Sequence, residues 1–245
     1  MQINYLSIYY LVGDNLNMAI PVIQTRSEQK QSANTDTTTI TAPAGIVNGD
    51  VLVICISTDG NSVFTFPTGF IEIDQGFAPS DRAALGVAYK IASGESGNYT
   101  VTWTGGNEQA ISEMYRIDGA DSGNEIQDPN EVNTGTSATA TITPATTTDA
   151  NDSLVLVVMG IDRNVITEDA GGDADYVTED VDRASGGGGA ASIGVQSRGE
   201  STIATPPQCD LTLTASDEFR AIWFAIRGAA AAPAVIDNLF VLGFI

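Results

Sequence analysis

The side chains of this chain that could do chemistry are almost all carboxylates. The sequence has 31 Asp and Glu against 10 Lys and Arg, with 2 Cys and no His. Without His, catalysis by a Ser-His-Asp triad and zinc binding through His are both excluded. Two Cys are too few for a structural zinc site made of Cys alone. The remaining residues form no motif that identifies a particular enzymatic reaction.

One acidic stretch offers the hard oxygen ligands that calcium prefers. Asp173 and Asp175 flank Ala174, and Asp180 and Asp182 follow closely. Calcium takes about 6–8 oxygen ligands, so a loop of this kind could hold one ion. Its spacing does not match the EF-hand loop, and a solvated acidic loop is the interpretation we favour. We predict no bound metal and no cofactor.

Glu113 lies on a segment that alternates apolar and polar residues. If its face is buried, desolvation would raise the pKa of the carboxyl and make it a candidate general acid. A glycosidase needs a second carboxylate about 5–9.5 Å away. Three acidic residues could supply it, although nothing in the sequence brings them together: Glu72, Asp74 and Asp81. Pairing with an Arg or a place at the sheet rim are the alternatives, and we predict that the chain is not an enzyme.

Six aromatic residues in the first half could stack against sugar rings or could belong to the core. They are Phe64, Phe66, Phe70, Phe77, Tyr99 and Trp103. An exposed aromatic group on one face would favour a glycan-binding module, whereas aromatics in strands are often core residues. Similarly, Cys55 and Cys209 are either two buried thiols or, if their strands meet, a disulfide.

Short strand-like segments separated by Gly, Asn, Asp and Pro recur along the whole chain, and no segment shows a capped helical period. The sequence therefore predicts an all-β fold, an antiparallel β-sandwich of jelly-roll-like type. Segments 51–56 and 154–159 are apolar on both faces, so a terminal arm, a long loop or a neighbouring subunit should cover the second face. Another layer should pack closely on the small residues of segment 83–91, which are Ala84, Gly86 and Ala88.

An internal repeat runs through the chain. The segment from Thr39 to Val53 has a counterpart about 102 residues later, from Thr141 to Val155, and the spacing drifts to about 111 further on. We interpret this as a duplication of about six strands per repeat, with repeats at about 37–119 and 138–228. On this alignment Glu113 corresponds to Phe224. We expect the repeats to form one pseudo-symmetric sandwich over 20–228, with two domains joined by a linker at 118–137 as the alternative.

Both ends of the chain are apolar and are predicted to be arms, 1–19 and 229–245. Neither contains the roughly 18 uninterrupted apolar residues of a membrane helix. An exposed apolar segment usually marks an interaction site, so these ends should contact other subunits. Packing of the C-terminal segment back onto its own domain is the alternative. The candidate subunit-contact residues are Tyr5, Ile8, Tyr9, Leu239, Phe240, Leu242 and Phe244. The net charge of -21 argues against binding to nucleic acid or to anionic membranes.

Several strand-and-turn motifs resemble those of a known class of protein. They are Pro43-Ala44-Gly45 with Gly49-Asp50-Val51-Leu52-Val53, Phe66-Pro67-Thr68-Gly69-Phe70, Tyr99-Thr100-Val101-Thr102-Trp103 and Tyr115-Arg116-Ile117-Asp118-Gly119. Together with the second repeat they resemble, over about 40–228, the jelly-roll-like β-sandwich modules of tailed-bacteriophage structural proteins. Phe70 stands where that class often has Trp.

This resemblance implies a virion role without catalytic residues. The expected function is a capsid decoration or cement protein that stabilises the head. Its expected partners are the major capsid protein and copies of itself, with a homotrimer as one arrangement. The expected location is the capsid surface of the virion, after assembly in the host cytoplasm. The alternative is a tail- or fibre-associated module that binds glycan.

Overall fold

A computed structural model describes residues 19–229 except 122, 129, 168–171 and 188. The described residues form β-strands and loops, and all strand pairs are antiparallel, which confirms the predicted fold class. The strands are β1 Val22–Thr35, β2 Thr37–Thr41, β3 Val51–Thr58, β4 Val63–Thr65, β5 Ile71–Phe77, β6 Ala84–Ile91, β7 Asn98–Thr104, β8 Glu108–Asp118, β9 Ile126–Gln127, β10 Val132–Ile142, β11 Ser153–Ile161, β12 Val177–Arg183, β13 Ser192–Glu200 and β14 Cys209–Arg227. None of the described residues forms a helix that could span a membrane.

The two halves of the chain have the same strand order. The first half forms the sheet β1-β8-β3-β6-β5, and the second half forms the sheet β10-β14-β11-β13-β12, with β9 beside β14. In the first half a smaller sheet, β2-β7-β4, is separate. In the first half, strand β1 therefore pairs with β8, β2 with β7 and β3 with β6. This is the nested pairing of strands in a jelly roll.

The two large sheets pack face to face around one inner core. Val53 and Val87 of the first half and Leu156, Val195 and Phe224 of the second half belong to this core. Alternate residues of each central strand point into it, as the twofold side-chain period of a strand requires. The inner core joins the two repeats into one body.

The outer face of each large sheet is covered by the same half of the chain. In the second half the loop between β11 and β12 contributes Val165, Ile166 and Tyr176 to the cover, so a loop, one of the expected alternatives, forms part of it, and strands supply the rest. The small sheet covers β3 through Ile40, Val101 and Trp103. In the second half the far ends of β10 and β14 bend over β11 and contribute Ile142 and Leu211. Every residue of β3 and β11 is consequently buried.

The small residues of β6 allow the close packing that the sequence predicts. A Cβ atom on Gly86 would lie 2.5 Å from the Phe64 ring. Its counterpart in the second half, Gly194 of β13, would meet Leu211 at 2.6 Å. In both halves the covering layer therefore rests directly on backbone.

The repeat extends to local irregularities. Gly49 and Asp152, which precede corresponding strands, both have positive φ angles, 94° and 53°. The edge strands β5 and β12 each change register just before an acidic residue, Asp74 and Asp180. These acidic residues oppose Val87 and Val195, which are themselves counterparts. A bulge at the same place in both edge strands bends each one and directs a carboxylate toward the other half.

Candidate functional site

The two ends of the described chain meet at one point on the body. A Cβ atom on Gly228 would lie 2.5 Å from the carbonyl oxygens of both Ala19 and Asp152. Ala229 donates its backbone N–H to the carbonyl of Gly119 at 2.7 Å. The incoming and outgoing chains therefore cross in contact, and we call the place where they cross the chain-end junction.

Arg227 holds the outgoing chain in place. Its guanidinium donates to both carboxylate oxygens of Asp149, at 2.8 Å from Nε, and to the carbonyl of Asn124 at 2.9 Å. Its own carbonyl accepts the N–H of Asp121 at 2.8 Å. A bidentate pair of this kind fixes geometry as well as charge. The junction is consequently tied to the body by side-chain and backbone hydrogen bonds.

All seven predicted subunit-contact residues lie outside the described residues. The structure nevertheless fixes where their segments attach. Residues 1–18 continue from Ala19 and residues 230–245 from Ala229, so both apolar segments begin at the chain-end junction.

Substituting Gly228 with Ala should open this junction. The new methyl group would meet two backbone oxygens, which cannot turn away as a side chain can. We expect the free energy of unfolding to fall by about 1–3 kcal/mol, the usual cost of overpacking. Urea unfolding of the full chain measures this, with Gly186→Ala as the control because a Cβ there has no neighbour within 4 Å. Equal effects of the two substitutions would contradict the close crossing.

The four aspartates of the acidic stretch divide into two pairs. Asp180 and Asp182 point inward from β12 and are almost fully buried, at 4% and 6% exposure. Asp173 instead accepts the backbone N–H of Asp175 at 2.9 Å and shapes a local turn. The buried pair meets Glu28 of β1, and carboxylate oxygens of the three residues lie within 4.8 Å of one another.

Two basic residues of β1 contact this cluster. Neither they nor Glu28 were among the residues predicted from the sequence. Arg26 forms an ion pair with Asp180. Lys30 Nζ lies 2.5 Å from Asp182 Oδ2 and 3.5 Å from Glu28 Oε1. The available signal was the alternation of charged and polar residues along an edge strand, which places Arg26, Glu28 and Lys30 on one face.

Glu113 is buried in the inner core, so the condition set for a raised pKa is met and a place at the sheet rim is wrong. It is fully inaccessible, and its carboxylate accepts the Tyr115 hydroxyl. Burial raises its pKa to about 7, against the lowering effects of Tyr115 and then Arg26. The proposed partner Asp74 is on β5, three strands from β8, which corresponds to about 14 Å. Asp74 instead pairs with Arg220, so Asp74 does not serve as the second carboxylate beside Glu113.

A second set of acidic residues lies where the central strands end. Asp59 follows β3 and Asp162 follows β11 at the corresponding position. Burial raises the pKa of Asp59 to about 7 and that of Asp162 to about 6, with Asp217 raising the latter further. The repeat could have revealed this pair, because Asp59 and Asp162 end matching apolar runs.

The aromatic residues and the cysteines are structural. Phe64 and Trp103 are buried, and their rings meet edge to face at 6.3 Å. Phe66, Phe70, Phe77 and Tyr99 are partly buried against the same core. Cys55 and Cys209 are free and belong to different cores. Burial raises the pKa of both thiols, so neither is an activated nucleophile.

An open groove of about 480 Å³ runs beside β10. Its acidic residue, Glu131, accepts the indole N–H of Trp223 at 2.7 Å and the backbone N–H of Ala145 at 2.9 Å, together with the Thr146 hydroxyl. These donors lower its pKa against the opposing effect of burial. Glu131 therefore ties β10 to the core.

No protein-family model, curated protein or solved structure matches this chain. The resemblance to phage structural modules consequently rests on the strand-and-turn motifs alone. Any function must be argued from the molecule itself.

Proposed function

We propose that this protein is a non-enzymatic structural component of a virion, and specifically a capsid decoration protein. The observation that carries the proposal is the chain-end junction, where two apolar terminal segments leave an acidic body side by side. A body with adjacent apolar extensions suits attachment to a larger assembly better than catalysis. The bacteriophage context comes from the motif resemblance.

Adjacent attachment points make the two segments act together. Once one segment binds a surface, the other is held at a high effective concentration beside the same surface. The two segments together then bind more tightly than either alone. Loss of either segment therefore lowers the overall affinity by much more than its own contacts would suggest. Binding to the major capsid protein or to a second copy of the chain would both use this arrangement.

The charge of the body suits a densely covered surface. The net charge of the whole chain is -21, and all of it except Asp14 and Asp237 lies on the body. This charge keeps neighbouring copies from aggregating, and salt screens their mutual repulsion. The exposed large apolar residues of the described body, such as Val47 at 55% and Val177 at 62%, lie on different strands and loops. Single residues of this kind are ordinary surface features, so adhesion is assigned to the ends.

The test compares the full chain with a variant that carries Ser at Leu239, Phe240, Leu242 and Phe244. Sedimentation with isolated capsids should show about 100-fold weaker binding for this variant, because the avidity of two linked contacts is lost. Val47→Ser with Val177→Ser is the matched control on the body and should bind normally. Binding that survives loss of the apolar end, or absence of the protein from purified virions by mass spectrometry, would refute the proposal.

A further inference from the structure

We propose that the apolar C-terminal segment of one copy, residues 235–245, adds as a β-strand to the outer edge of β10 in a second copy. This inference rests on the proposed adhesive role of the chain ends and names the surface that one of them binds. The partner is another copy of this chain, so the contact forms without a capsid.

Strand β10 presents a long edge. It pairs with β14 over Val132–Ile142, and no strand of the described body lies along its other side. The backbone N–H and C=O groups on that side can therefore pair with a further strand. The register shifts after Ser137, so the continuous part of this edge is Val132–Ser137.

The edge at β10 is also the least protected one. Proteins prevent unwanted strand pairing with charged side chains or with very short edge strands. The other edges of the two large sheets, β1, β5 and β12, carry charged residues such as Arg26, Asp74 and Glu179, whereas β10 carries none. The edges of the small sheet are short, with 5 residues in β2 and 3 in β4. Strand β10 is therefore the edge that can accept another strand.

The groove beside β10 can receive side chains of an added strand. Val132, Ile142 and Ala145 give its lining apolar surface, and Asn130 and Asn133 add amide groups. Val132 is 39% exposed. When a strand adds to a sheet edge, its main chain supplies hydrogen bonds and its alternate side chains enter pockets. An apolar segment with a few polar residues fits this lining.

The C-terminal segment has the composition of a strand. Eight of the residues in 235–245 are Val, Ile, Leu or Phe, and Asp237 is the one charged residue among them. β-Branched and aromatic residues favour strands, and an uncharged apolar run without Pro, such as 239–245, favours strand pairing. The segment is as long as β10, which has 11 residues.

Strand direction selects the edge of a second copy over the chain's own edge. Strand β14 runs toward the chain-end junction, and β10 runs away from it because the two strands are antiparallel. A segment that turned back from Ala229 onto its own β10 would also run away from the junction and would pair parallel to β10. Parallel pairing is slightly less stable per residue. The segment of a second copy can approach in the antiparallel direction, which all strand pairs of the described body share.

The segment and the edge that accepts it are different surfaces, so the contact is head-to-tail. Contacts of this kind close into a ring or continue as a filament. A copy with an altered segment can still accept a strand, and a copy with an altered edge can still donate one. The two halves of the contact can therefore be tested separately.

Sedimentation equilibrium of the full chain without capsids is the test. The unaltered protein should sediment as an oligomer of the 25.5 kDa chain. A segment variant with Leu239→Ser, Phe240→Ser, Leu242→Ser and Phe244→Ser should sediment as a monomer. An edge variant with Val132→Lys and Thr136→Lys should do the same, because it places charges on the edge. The matched control is Val63→Lys with Thr65→Lys, which changes the same residue types at exposed positions of β4 and should remain oligomeric.

An equimolar mixture of the two monomeric variants tests the direction of the contact. The edge variant donates its segment to the unaltered edge of the segment variant, so a complex of twice the chain mass should form. A monomeric unaltered protein, oligomers of the segment variant alone, or a mixture that stays monomeric would each overturn the inference. Sedimentation with capsids is a separate measurement, so loss of self-association and loss of capsid binding are distinguished.

Discussion

Replacing Arg220 with Met should lower the free energy of unfolding by about 3–5 kcal/mol, the cost of breaking a buried ion pair from one side. Arg220 of β14 reaches across to Asp74 of β5, with 2.6 Å between Nη2 and Oδ2. The two side chains are only 12% and 16% exposed. The guanidinium lies against Gly76, where a Cβ atom would come within 2.8 Å of it. Without Arg220, Asp74 would remain buried and uncompensated.

Urea unfolding followed by circular dichroism measures this effect. The double variant Asp74→Asn with Arg220→Met should recover most of the loss, because no buried charge is then left unpaired. Arg82→Met is the matched control, because Arg82 is an exposed arginine of the same half as Asp74. It should cost less than about 1 kcal/mol. Equal losses for Arg220 and Arg82 would show that the pair does not join the two halves.

Glu113→Gln should flatten the dependence of stability on pH, measured with EDTA present. Burial raises the pKa of Glu113 from its ordinary 4.5 to about 7 in the folded state. A folded-state pKa above the unfolded value means that the folded protein binds more protons between these two pH values. The stabilisation is complete below pH 4.5 and is lost as the pH rises through about 7. The loss should reach about 3 kcal/mol.

The Gln side chain cannot ionise, so the variant should lack this part of the slope. Asp59 and Asp162 also have raised pKa values, about 7 and about 6, and contribute to the slope in both proteins. The difference between the two profiles therefore isolates Glu113. Glu72→Gln, at an exposed position, serves as the control and should run parallel to the unaltered protein. Parallel profiles for Glu113→Gln would mean that Glu113 is ionised in the fold without cost.

The fold was largely predictable because strands carry their own signal. The local sequence is enough to show three features: alternating apolar and polar residues, turn residues, and the runs at β3 and β11 that are apolar on both faces. Because the chain contains a repeat, each of these features occurs twice. The source of the outer cover was not predictable, because it depends on where β10 and β14 bend. At that point the register between the two strands shifts after Ser137, and no single residue type signals the bend.

Register explains why the site was only partly predicted. The repeat in the sequence aligns Glu113 with Phe224. In the structure Glu113 lies opposite Cys55 of β3, and the corresponding residue of β11, Val158, lies opposite Ile222. The structural counterpart of Glu113 is therefore Ile222. A slip of two residues keeps the same face of a strand, so composition cannot detect it. Similarly, Asp182 was a candidate ligand, while its partner Glu28 lies on a distant polar strand and became visible only through the packing of β1 on β12.

The chain-end junction has a mechanical consequence. Tension travels along a chain between its two points of attachment, and here both points coincide on the body. A force that pulls the two ends apart would therefore act first on the contacts at the crossing beside Gly228 and on the Arg227–Asp149 pair. Because β14 ends at Arg227, these contacts would protect the last strand from the load only for as long as they hold.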